Sequence, residues 1–131
     1  MHTQHLRTRA QFQALLAQPA TARTAHFALH RLPAAAMAEG SASAALFAPP
    51  GTLWIGAMVP KRWARRAVTR NAIRRQIYAV ADQFTPPLDA GAHLVRLRAA
   101  FAPAQFPSAA SPALKRAVRA ELQQLFAKLR P

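Results

Sequence analysis

The chain contains no cysteine, which removes disulfides, thiolate metal sites and cysteine nucleophiles in one step. Acids are nearly absent too: Glu39, Asp82, Asp89 and Glu121 are the four carboxylates among 131 residues that include eighteen Lys and Arg. No two of them share a helix or strand face, so paired-carboxylate catalysis has no foundation and an enzyme acting alone is not expected. The start "MHTQHLRTRAQF" lacks the apolar stretch of a secretory signal, and no run approaches the roughly 20 apolar residues that span a bilayer. A cytoplasmic chain without a membrane partner or a small-molecule substrate is expected. No internal repeat is visible, and His2 and His5, two histidines in a terminal segment, read as surface residues more readily than as metal ligands.

What is present is positive charge. The formal charge is +14 and the isoelectric point about 12.0, more self-repulsion than solubility needs and the footprint of a polyanion partner. Fifteen of the cations are Arg and three are Lys; the planar guanidinium forks onto phosphate where an ammonium acts as a point charge. Seven basic residues fall between Lys61 and Arg75 in "PKRWARRAVTRNAIRRQIY", and no acid occurs between Glu39 and Asp82. That charge must look outward for anions. The length suits one domain with one core over residues 1–131.

Thr8 and Gln11 match a capping box, followed by the stripe Phe12, Leu15 and Leu16, so a helix is expected over about 8–18. Residues 23–32 alternate, with Ala25, Phe27 and Leu29 on an apolar side and His26, Ala28 and His30 on the other. A short strand near 20–23 would complete this part. Residues 33–52, rich in Ala, Ser, Pro and Gly, read as a long flexible connection. "LWIGAMV" is a strand with Leu53, Ile55, Ala57 and Val59 on one face, ended by Pro60. Ile73, Ile77, Val80 and Phe84 mark a helix over about 66–84, stopped by Pro86 and Pro87. "AHLVRLRA" alternates as a further strand, and Ser111 with Pro112 opens a last helix with the stripe Leu114, Val118, Leu122, Leu125 and Leu129, closed by Lys128 and Arg130 at the negative end of its dipole. The fold class expected is α/β (α+β): a small two-layer sandwich in αβββαβα order with a mixed sheet.

On the central helix Arg66, Arg70 and Arg74 advance by about 40° per step and form one slanted ridge. Arg66 shares its azimuth with Ile73 and Ile77, so the helix start must project beyond the core. Cations at a helix N-terminus oppose the macrodipole, and a bound phosphate reverses that sign by drawing guanidinium groups and free N–H groups to one anion. Lys61, Arg62, Arg65, Arg66, Arg70, Asn71, Arg74 and Arg75 are therefore the candidate nucleic-acid-binding residues, with Asn71 suited to a base edge or ribose hydroxyl. Trp63 fits packing on the sheet edge and stacking on a base about equally. A solvated helix face is the competing reading of the charge.

The stretch "LWIGAMVPKRWARRAVTRNAIRRQIY" resembles the signature of the bacterial ribonuclease P protein component, in its proteobacterial form: a Gly-containing strand, a basic pair, then an Arg-Asn-Arg helix. Gly56, Lys61, Arg62, Arg70, Asn71, Arg74 and Arg75 fall on that pattern, and the likeness extends from about Leu6 to Phe126. Ala72 stands at the third position of the Arg-Asn-Arg triplet, and Leu16 replaces the second aromatic of the first helix. The resemblance implies a partner RNA that catalyses removal of the 5′ leader from precursor tRNA with Mg2+, while this protein binds both RNAs, broadens substrate use and supports cleavage at low magnesium. It implies a leader cleft lined by Phe12, Leu16 and His30 with Lys61 at its mouth, and a left-handed crossover between strands, as in a ribosomal-protein domain. From periodicity alone Phe12 serves equally as core, and His30 as a hydrogen-bonded strand residue. The alternative is a structural RNA-binding protein of ribosomal type with no processing role.

Overall fold

The computed structural model describes residues 3–37, 40–101 and 111–129. Its elements are β1 (Thr3–His5), α1 (Arg9–Leu16), β2 (Ala20–Arg23), β3 (Phe27–Pro33), a 3-10 turn at Ala34–Met37, β4 (Leu53–Met58), α2 (Ala67–Gln83), β5 (Gly91–Leu97) and α3 (Pro112–Ala127). The five strands form one sheet in the order β1-β4-β5-β3-β2. β1, β4 and β5 run parallel, and β3 lies antiparallel to both β5 and β2. The sheet is mixed, as expected for an α/β fold, and α2 supplies the crossover that parallel neighbours β4 and β5 require.

One sheet face buries Phe27, Leu29, Ile55, Val95 and Leu97 against Ile73, Ile77 and Val80 of α2 and Leu114, Val118, Leu122 and Leu125 of α3. Both helices meet the sheet through the stripes their sequences predict. The expected single apolar face of residues 23–32 is corrected: Ala28 and His30 are buried along with Phe27 and Leu29. The cause is α1, whose Leu15 joins Leu6, Leu32, Trp54, Leu94 and Phe47 on the opposite side of the sheet. β3 also starts later than expected, because Thr24 N–H donates to Phe27 O (2.9 Å) and makes residues 24–26 a turn.

The capping box closes as its residue types require: Gln11 N–H donates to Thr8 Oγ1 (3.2 Å) and Gln11 Oε1 accepts from Thr8 N–H (3.1 Å) and Arg7 N–H (2.7 Å). The same Gln11 donates through Nε2 to Leu46 O (2.8 Å), and Trp54 Nε1 donates to Phe47 O (3.3 Å), so the end of the 33–52 connection is pinned onto α1 and β4. Ser111 caps α3 by accepting from Leu114 N–H (3.1 Å). Arg130 lies outside the described residues. Gly56 is dictated by packing, since a Cβ there would sit 2.9 Å from Leu6 Cγ.

His93, on β5, is 1 % exposed, and among the described residues neither ring nitrogen has a hydrogen-bond partner of good geometry. Burial, then the Arg31 charge, lowers its pKa from 6.5 to about 4, with the Trp54 backbone and Asp89 offsetting only part of the shift. The unfolded chain therefore takes up this proton first. Stability is complete above pH 6.5 and is lost as the pH falls toward about 4, by at most about 3 kcal/mol. Urea unfolding of the His93→Leu variant at successive pH values should show that part of the acid sensitivity gone; an unchanged pH profile would exclude His93 as its source.

Candidate nucleic-acid interface

The basic segment begins where β4 ends. Trp63 N–H (3.1 Å) and Ala64 N–H (3.2 Å) both donate to Pro60 O, winding residues 60–64 into a tight turn. Ala64 is the plug of that turn, buried among the core residues, and this sends Lys61, Arg62, Arg65 and Arg66 outward into solvent. α2 then starts from Arg66 as N-cap, whose side chain makes no capping bond. The helix start does project beyond the core: Arg66, Ala67 and Val68 are all exposed. The Ala67 and Val68 N–H groups, which open the helix, keep their capacity for an anion.

Arg70 folds back on this turn. Its Nη1 donates to Ala64 O (3.0 Å) and Arg65 O (2.8 Å), which satisfies two loop carbonyls and fixes the loop to the first helical turn. Arg74 Nη1 donates to Asn71 Oδ1 (2.9 Å), leaving the Asn71 amide nitrogen free to donate outward. Arg75 is exposed. Among the described residues the ion pairs are His26–Glu121 and Arg31–Asp89, so no described carboxylate neutralises any cation between Lys61 and Arg75. Trp63 packs its ring on the core while the Arg62 guanidinium carbon lies 5.3 Å from the ring centroid, which favours the packing role. Ala72 is buried at 7 % exposure, so the third position of the triplet presents no cation.

The second group lies across the sheet. Phe12 is half-buried against the cluster under α1, and Leu16 is 39 % exposed beside it. His30 is 6 % exposed, so it does not itself offer a surface. Its Nδ1 lies 2.9 Å from Gln18 O and its Nε2 accepts from Arg96 Nε at 3.2 Å. A carbonyl at one nitrogen and a guanidinium donor at the other select the neutral ring with its proton on Nδ1. His30 thus aims Arg96, and Arg96 is the half-exposed cation of this face. Met58 pairs in register with Arg96, which sets the exposed Lys61, three residues further along, at the same end of the sheet. The alternation of "AHLVRLRA" puts Arg96 on this face; nothing local in the sequence signals that a buried histidine holds it.

Among the described residues no three His, Asp or Glu side chains converge into a metal-binding cluster. No described helix is long and apolar enough to cross a membrane.

A family model described as Ribonuclease P matches residues 1–130. The ribonuclease P protein component of Trichormus variabilis is 36% identical over 98 residues, 69% of each chain, and that of Ralstonia pickettii is 40% identical over 72 residues. The latter match spans 55% of this chain and half of the Ralstonia protein. The Staphylococcus aureus RNase P protein structure at 2.0 Å superposes with a TM-score of 0.66, covering 96% of this chain and 94% of its own, at 15% identity. A second structure of that protein gives 0.56 over 94% of this chain and 82% of its own, at 17% identity. At these identities the structures speak for the fold alone.

Proposed function

The chain belongs to the ribonuclease P protein family, and from that membership we propose that it is the protein subunit of an RNA-based endoribonuclease that removes the 5′ leader from precursor tRNA. The observation that carries this reading is the run of outward cations from Lys61 to Arg75 with no carboxylate partner among the described residues. In this reading the partner RNA seats its backbone on Arg66, Arg70, Arg74 and Arg75 and on the Ala67 and Val68 N–H groups at the start of α2, with Lys61, Arg62 and Arg65 along the entering turn. Asn71, aimed by Arg74, meets a base edge or a 2′-hydroxyl. The leader lies across Phe12 and Leu16, with Arg96, held by His30, and Lys61 on its phosphates. The chain supplies positioning and charge, in the cytoplasm; bond cleavage and the Mg2+ that assists it belong to the RNA.

Neutralising roughly six phosphates gives a log-log salt slope of about −4 to −5 for RNA binding. Reconstitution with a bacterial ribonuclease P RNA at low magnesium should release a tRNA leader, and Phe12→Ala should weaken precursor more than mature tRNA. A flat salt dependence would remove the electrostatic footprint. Firm RNA binding without leader release would favour a purely structural RNA-binding role.

A further inference from the structure

The ridge of α2 does not stop at Arg74. Its four-residue rows continue through Tyr78 to Asp82, and there a groove of about 360 Å³ opens between the helix and β1, lined by Thr3, His5, Ile55, Tyr78 and Asp82. Resting on the RNA-binding reading above, we propose that this groove seats one unpaired nucleobase with adjacent N–H donors, namely guanine, from a strand whose backbone follows the ridge.

Its construction suits a base. The His5 and Tyr78 rings stack 3.9 Å apart at 17°, a flat aromatic wall on which a further ring can stack. Ile55 and Ala81 give an apolar floor, and the volume lies in the range of small-ligand sites. At the rim stands Asp82, exposed and, among the described residues, without an ion-pair partner. The contrast with Asp89 and Glu121 is informative, because both of those pair while Asp82 goes without a cation in a chain of charge +14. A lone carboxylate beside a phosphate-binding ridge repels backbone, so its use lies with a partner that offers N–H groups. Guanine presents two adjacent donors, N1–H and the 2-amino group, to the two oxygens of one carboxylate; adenine would turn its N1 lone pair against them, and uracil offers one N–H between two carbonyls. Asp82 lies eight residues beyond Arg74, about 12 Å along the helix, so both can serve one short strand.

The test uses the full chain and the four nucleoside 5′-monophosphates, followed through the His5 and Tyr78 ring signals by NMR. GMP should bind about tenfold more tightly than AMP, CMP or UMP, and Asp82→Asn should remove the preference without changing the melting temperature. Affinity for poly(U) should be unchanged or slightly tighter in that variant. A uniform response to the four nucleotides, no response to GMP at millimolar concentration, or a preference that survives Asp82→Asn overturns the base site. If poly(U) binding persists in that case, the ridge still stands; if the wild-type chain fails to bind poly(U) at all, the RNA-binding reading falls and this one with it.

Discussion

Replacing Arg70 and Arg74 together by Ala is expected to weaken binding to ribonuclease P RNA by about a hundredfold or more and to reduce the salt slope by about two, at about 1.5 to 3 kcal/mol for each charged hydrogen bond. The two residues act in different ways. Arg74 orients Asn71 and adds charge, whereas Arg70 also joins the 60–66 turn to the helix through Ala64 O and Arg65 O. Arg70→Lys keeps the charge but loses the further guanidinium N–H groups that could fork onto a phosphate while Nη1 holds the two carbonyls, so it should recover only part of the loss. Filter binding over a range of salt concentrations, with the double change Lys115→Ala and Arg116→Ala on the exposed start of α3 as comparison, separates a site from diffuse charge. Equal losses in the two double variants would mean that position on the surface does not matter.

Glu121→Ala should cost about 3 to 4 kcal/mol of stability at neutral pH, read by urea unfolding. Its carboxylate accepts from Thr24 Oγ1 (2.5 Å) and His26 N–H (2.7 Å) and meets His26 Nδ1 (2.7 Å), fastening the β2–β3 turn to α3. The His26 ring is in turn stacked on Phe101 at 3.9 Å. Its removal leaves the Thr24 hydroxyl and the His26 N–H without their acceptor, while the same turn stays tied by Arg98, which donates twice to Thr24 O, and by Lys128, which donates to Arg23 O. Glu121→Gln keeps the shape and should cost about half as much. A loss below about 0.5 kcal/mol in the Ala variant would show that the turn is held by packing alone.

The parts legible in the sequence are those whose signals are local. Thr8 with Gln11, Ser111 with Pro112, and the four-three-four spacing from Ile73 to Phe84 each specify a helix through contacts within a few residues, and each helix forms there. The outward turn of the basic segment was legible too, because a charge at the azimuth of Ile73 cannot be buried alone. What escaped depends on distant partners. β1 has no pattern of its own in three residues and exists by pairing with Leu53–Ile55. His30 alternates as a surface residue and is buried because α1 crosses the sheet over it. Arg70 reads as pure charge, yet its two carbonyl bonds depend on the turn that the buried Ala64 creates.

β1 is a three-residue edge strand paired with a single neighbouring strand, and such a strand is the first part of a sheet to fray. One wall of the groove beside Asp82 belongs to it, while the guanidinium groups of α2 stand on a helix locked into the core. If the base site proposed above exists, warming should dissolve discrimination between bases while attraction for the sugar–phosphate chain persists, giving selectivity and grip separate thermal lifetimes in one molecule.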